Sequence, residues 1–212
     1  MQLILYILRR LAITAGVVFI VLSFAGTLGI SLRYLFDRNS YFEFFGDRDS
    51  SAERLWLVIL HILPAIIALL IGPLQLSANI RKFVPRLHRI TGRVYLCSVL
   101  ASACGALAIT PYSLGGTRNA MGFGLLAIVW TATTVKAVWR IRNGHISKHR
   151  FWMIMSYALT LAGITLRVQL GVFTGLIGMS FSHAYSITAW SSWIPNLVIA
   201  GIWIRYGTRR QE

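Results

Sequence analysis

The sequence predicts an all-α integral membrane protein, with six transmembrane helices, a core four-helix bundle of spans two to five, and both termini cytoplasmic. Three observations carry that reading. Only 13% of the 212 residues are charged and 56% are hydrophobic, against about 25% charged in a soluble domain. The apolar residues run in blocks near the ~20-residue length that takes a helix across a ~30 Å hydrocarbon core. Basic residues gather in the turns between blocks, most heavily on alternate turns.

The blocks fall near residues 11–31, 54–76, 89–110, 120–140, 150–171 and 186–205. In lipid each must be a helix, because its amides and carbonyls find no water. The first follows the paired Arg9 and Arg10. A cleaved signal has a shorter apolar core and a small-residue cleavage site, so this block reads as a retained span. An outer loop, 32–53, follows it. Arg81, Lys82, Arg86, Arg89 and Arg93 surround the turn between spans two and three; Lys136, Arg140, Arg142, Lys148 and Arg150 flank the turn between four and five. With Arg9, Arg10, Arg205, Arg209 and Arg210 they make fifteen on one side, against five (Arg33, Arg38, Arg48, Arg54 and Arg118) on the other. The positive-inside tendency puts the richer side in the cytoplasm.

Five of the six acids, Asp37, Glu43, Asp47, Asp49 and Glu53, lie in the outer loop. The inner face is therefore strongly cationic, and Arg86, Arg89, Arg93 and Arg150 are placed to hold anionic lipid headgroups. Membrane orientation accounts for the net charge of +15, and nucleic acid is not an expected partner. Residues 1–212 read as a single membrane domain with no room for a soluble one.

Two stretches resemble each other, "LHRITGRVYL" (87–96) and "KHRFWMIMSYAL" (148–159). His88 precedes Pro111 by 23 residues and His149 precedes Gly171 by 22, so both sit at one depth, at the inner ends of parallel helices. Tyr95 and Tyr157 follow them. The pattern is that of a parallel pseudo-repeat about the membrane normal, or of coincidence. Imidazoles from facing helices are the axial-ligand set of a b-type haem. Interfacial anchoring is the competing account of both pairs.

His61, in "LVILHILPAIIALL", sits among apolar residues three before Pro64. Polar groups within membranes are costly and mark functional sites by default. Pro64 has no N–H for the Leu60 carbonyl, so His61 reads as a ligand, a proton carrier or a structural donor. Arg167 also lies within a span, and no span supplies a carboxylate opposite it. The acids of the outer loop, lipid phosphate, or an acidic or carbonyl oxygen of a haem or quinone all fit its two-bond fork. The uncharged run "GVFTGLIGMSFSHAYSITAW" reads as an outer segment lying on or dipping into the membrane, with His183 joining His61 and Arg167. Its Phe181, Tyr185, Trp190 and Trp193 read as an aromatic belt. In span three, Ser98, Ala101, Ser102 and Gly105 form a small-residue face for close helix contact. Cys97 and Cys104 read as small buried residues, about 10 Å apart along the axis and too far for a disulfide.

"LHRITGRVYL", "KHRFWMIMSYALTLAGITLRVQL" and "WSSWIPNLVIAGIWIR" together resemble a bacterial membrane-protein family, domain of unknown function 2306, over roughly residues 55–205. Its motifs fall on His61, on His88 to Arg93, on His149 to Met153, and on Arg167. The chain departs from it at Met155, where a basic residue is common, and at Gly201, where an acid is. The resemblance implies a multi-pass protein of the inner (cytoplasmic) membrane and no particular reaction.

Three functions are consistent with these residues. The most specific is a redox or quinone-associated membrane protein, with a b-type haem between His88 and His149 and a second, outer site at His61, Arg167 and His183. The alternative is a non-catalytic scaffold or anionic-lipid-binding subunit of a membrane complex. The third is a small-solute transporter. With no nucleophile elbow, phosphate loop or Cys-x-x-Cys, the chain is not expected to be an enzyme on its own.

Overall fold

The computed structural model describes residues 22–29, 32–33, 36 and 52–207. The first span and the outer loop thus lie largely outside the described residues, although residues 22–29 are helical. Among the described residues the chain is all helical, and five helices are long and apolar enough to cross a membrane: Leu55–Leu76, Pro85–Tyr112, Thr117–Arg142, Ile146–Leu176 and Phe181–Tyr206.

These spans are built from eight α-helices. α1 (Ala52–Leu76) keeps Pro64 and Pro73 inside it. A short α2 (Ala78–Phe83), capped by the Ser77 hydroxyl accepting from the Ile80 N–H at 3.3 Å, fills the basic turn. α3 (Pro85–Ile109) begins on proline, which needs no amide partner there, and runs into a 3-10 turn at Thr110–Tyr112. α4 (Thr117–Arg142) ends at Asn143 and at Gly144, whose φ of 76° lets the chain reverse within a few residues. α5 (Ile146–Thr160) is interrupted at Leu161 and continues as α6 (Ala162–Gly171), then as a π-helical turn at Val172–Leu176. α7 (Phe181–Ser191) and α8 (Ile194–Gly207) complete the last span.

The helices overrun the apolar blocks at their basic ends, because long Lys and Arg side chains reach water from inside a helix. His88 and His149 are consequently within the first turns of α3 and α5, each as the fourth residue. The run from Gly171 to Trp190 is not a separate surface segment. Its first part prolongs the fifth predicted span, and its second part opens the sixth.

Lipid, not water, is the solvent this surface suits. Trp56, Ile128, Ile199, Ile202 and Trp203 are all more than half exposed, whereas of the largest fully buried side chains only Tyr95 and Val99 are not Ser, Thr or Asn. Small and hydroxylated residues inside, with large apolar ones outside, is the arrangement of helices packing in a bilayer. Cys97 and Cys104 are free and face outward rather than inward.

α1 packs most extensively on α3, and α4 on α5; α3–α4 and α1–α5 contacts join the two pairs, while α8 packs on α5 and α7 on α4. The core is not confined to spans two to five, since Trp193 at the α7–α8 junction is buried with Tyr95, Val99, Trp130 and Leu159. α1 and α3 meet at Gly105, where a Cβ would stand 2.6 Å from the His61 nitrogen. The small-residue face of span three is therefore a true contact face, with Ser98 and Ser102 also buried.

Candidate functional site

A cavity of about 470 Å³ lies at the end of the bundle away from the basic turns, lined by residues of α1, α3, α4, α5, α6 and α7. His61 and Arg167 are both in its lining. Pro73 cannot donate to the Leu69 carbonyl, and that carbonyl instead accepts from the Tyr157 hydroxyl at 3.3 Å. The Tyr157 ring fills the space beside Gly72, where any Cβ would overlap it. This fixes α1 against α5 one side of the cavity floor.

His61 is held by α3. Its Nδ1 lies 3.0 Å from the Ser102 carbonyl oxygen and 3.0 Å from the Ser102 hydroxyl, which itself donates to the His61 carbonyl at 2.8 Å. A carbonyl only accepts, so Nδ1 carries the hydrogen, leaving Nε2 free to accept in the neutral ring form. The sequence allowed a structural donor at His61; the structure adds that its partner is on α3, not the carbonyl that Pro64 frees. Arg167 donates from one terminal nitrogen to the Gly163 carbonyl at 2.9 Å and lies within electrostatic reach of His61.

The remaining walls are apolar and aromatic. Phe123 and Tyr185 sit 5.2 Å apart by ring centroids, and Phe181 stacks on Tyr185 at 5.6 Å. Phe181 and Tyr185 line the cavity, with Phe181 also exposed, whereas Trp193 is buried in the core rather than in the lipid-facing belt expected of it. His183 is the opposite case: it is exposed and is not among the lining residues, because it falls on the outward face of α7 while Tyr185 falls inward. Thr27, from the helical stretch 22–29, also lines the cavity, a contribution from the first span that the sequence did not signal.

Below the cavity lies a hydrogen-bonded cluster that sequence reading missed. The Tyr95 hydroxyl is 2.9 Å from Ser156 Oγ and 2.8 Å from Thr160 Oγ1. Trp130 Nε1 donates to Thr160 Oγ1 at 3.0 Å, and Thr134 Oγ1 is 2.6 Å from Ser156 Oγ. Trp130 and Thr160 also line the cavity, so the cluster forms its polar floor. Tyr95 and Ser156 each follow a histidine by seven residues, a spacing that returns to one helix face, but spacing alone does not show that the two faces meet.

His88 and His149 are matched in register: each backbone N–H bonds to its own N-cap carbonyl, Val84 and His145 respectively. His149 Nδ1 donates to the Ala137 carbonyl at 2.8 Å, and His88 lies within electrostatic reach of His149. The tyrosines that follow them diverge. Tyr95 enters the buried cluster, whereas Tyr157 turns to α1. Neither histidine lines the cavity.

Comparison with known proteins agrees with this architecture at one level. Residues 58–204 match the family model described as "Predicted membrane protein (DUF2306)". No curated protein and no solved structure matches the chain. Since the match spans α1 to α8 and covers well over half of the sequence, the chain belongs to this family of membrane proteins, DUF2306.

Proposed function

We propose that the chain is a redox-associated membrane protein that binds a lipid-soluble quinone between His61 and Arg167. The supporting observation is a guanidinium and an acceptor imidazole nitrogen converging on one apolar cavity of about 470 Å³. That volume falls in the ~300–1,000 Å³ range of small-molecule sites. A quinone ring is flat and apolar on its faces, with carbonyl oxygens at opposite edges. Arg167 donates to one such oxygen; in the quinol, where the oxygens carry hydrogen, His61 Nε2 accepts from the other. Phe123, Tyr185 and Trp130 offer ring faces against which a flat ligand packs.

The same reading has six spans in an inner, cytoplasmic membrane, both termini and the basic turns on the cytoplasmic side, and the cavity in the outer half. A b-type haem at His88 and His149 has less behind it. His149 has the ring orientation of a metal ligand, with Nδ1 bonded to a carbonyl, but neither histidine lines the cavity.

The test is the quinone content of protein purified from membranes, measured by chromatography of a solvent extract. Wild type is expected to carry quinone well above the detergent blank. His61→Ala and Arg167→Gln are each expected to lower it about tenfold, the loss of one charge-assisted or acceptor bond. Equal quinone in wild type and both variants would sink the reading, as would a wild type no richer than the blank.

A further inference from the structure

The basic end of the bundle carries a cluster that the cavity leaves unused. Arg81 from α2, His88 from α3, and His149 and Arg150 from α5 converge there: Arg81 interacts electrostatically with Arg150, and His88 with both Arg81 and His149. No carboxylate answers them from within the described spans, because the chain has no Asp or Glu between Glu53 and Glu212. Burial, and then the Arg150 charge, lowers Arg81 from the usual arginine value. Like charges are thus gathered beside one another, and their mutual repulsion is relieved when an anion binds between them.

Each side chain is positioned by its own element. Arg81 donates to the Gln75 and Leu76 carbonyls at 3.2 and 3.0 Å, closing the end of α1. Gln75 is tied in turn to Thr91 of α3 at 2.6 Å. His149 is set by its bond to Ala137, while the buried His88 Nδ1 has no hydrogen-bond partner among the described residues. α3 and α5 both begin here, and neither has a side-chain N-cap bond or an acid in its first turn. Two helix N-termini, with their open amides and positive dipole ends, therefore add to the same field.

We propose that Arg81, His88, His149 and Arg150 form a binding site for a phosphate-bearing anion. The Arg150 side chain is exposed, so it has a fork to present. An anionic phospholipid headgroup and free inorganic phosphate offer the same oxygens, and the site lies at the depth of headgroups. It stands on residues separate from the cavity, so quinone binding and phosphate binding succeed or fail independently.

The full chain in neutral detergent is the material for the test, with phosphatidylglycerol, phosphatidylcholine and inorganic phosphate as probes and retained lipid read by native mass spectrometry. Wild type is expected to prefer phosphatidylglycerol, and Arg150→Gln to reduce that preference about tenfold. The double variant His88→Gln/His149→Gln is expected to do the same, and Arg205→Gln, an exposed charge on α8, to leave it intact. Displacement of the lipid by millimolar phosphate makes free phosphate a ligand; failure to displace it assigns the site to the lipid headgroup. Both outcomes keep the anion site. A preference that survives in the cluster variants overturns it, as does one lost equally in Arg205→Gln, which means diffuse surface charge. A Soret band after haem-supplemented expression, abolished in the double variant, also overturns it, by making the histidines haem ligands.

Discussion

Tyr95 joins three helices through one hydroxyl, bonding Ser156 and Thr160 directly and reaching Trp130 and Thr134 through them. Tyr95→Phe removes that hydroxyl with little change of shape, so Ser156 and Thr160 each lose one bond, keeping those to Thr134 and Trp130. The variant is expected to lose about 1–3 kcal/mol of stability, read as a lower thermal unfolding midpoint in detergent. An unchanged midpoint means that the hydroxyls repair themselves by bonding their own preceding turns. That same self-bonding is why these residues were illegible in the sequence. Ser and Thr within a span satisfy themselves at the carbonyl four residues back, as Thr160 does with Ser156 at 3.1 Å. They carry no visible cost, and only the meeting of three helices reveals a shared cluster. His61 and Arg167 were legible for the opposite reason: neither can be placed cheaply inside a membrane. His183 looked equivalent by type, but its depth and helix face, set by where α7 begins, decide that it is exposed.

α1 is shaped by what it lacks. Pro64 and Pro73 remove two amides, Gly72 leaves room for the Tyr157 ring, and Gly105 of α3 lets the α1 backbone at Leu60 and His61 press in. Gly105→Val puts its Cβ 2.6 Å from the His61 nitrogen and 2.9 Å from the Leu60 carbonyl carbon. Backbone atoms cannot swing aside, so overpacking is expected to cost about 1–3 kcal/mol and to move His61 away from Ser102. Quinone retention should fall with it. Gly201→Ala is the control: nothing lies within 4 Å of a Cβ there, and replacing a helical glycine is expected to be neutral or stabilising by up to about 1 kcal/mol. Equal thermal shifts in the two variants would show that close α1–α3 approach does not position His61. At this scale the small-residue face of span three was readable from spacing. The break at Leu161 was not, and beside it Asn196 of α8, distant in sequence, bonds the Ala158 carbonyl at 3.2 Å.

Across the whole molecule, the apolar block lengths and the alternation of basic turns made the membrane class legible, since both follow from the bilayer rather than from packing detail. Span ends were less so, because helices extend past the apolar blocks wherever long basic side chains reach water. The orientation is open to a direct measurement. α4 has 26 residues, about 39 Å at 1.5 Å per residue, enough to cross a ~30 Å core with both ends in the interface. Thr117 at its start and Ser147, just beyond its other end on α5, are both exposed, so they mark opposite faces. In a chain whose Cys97 and Cys104 are replaced by serine, Thr117→Cys is expected to react with a membrane-impermeant maleimide added to intact cells. Ser147→Cys is expected to react only after the membrane is opened. The basic turns hold most of the positive charge that the bilayer potential and anionic inner leaflet sort to the cytoplasm. The reverse labelling pattern would place the His61–Arg167 cavity in the cytoplasmic half instead, where a quinone would meet the opposite aqueous phase.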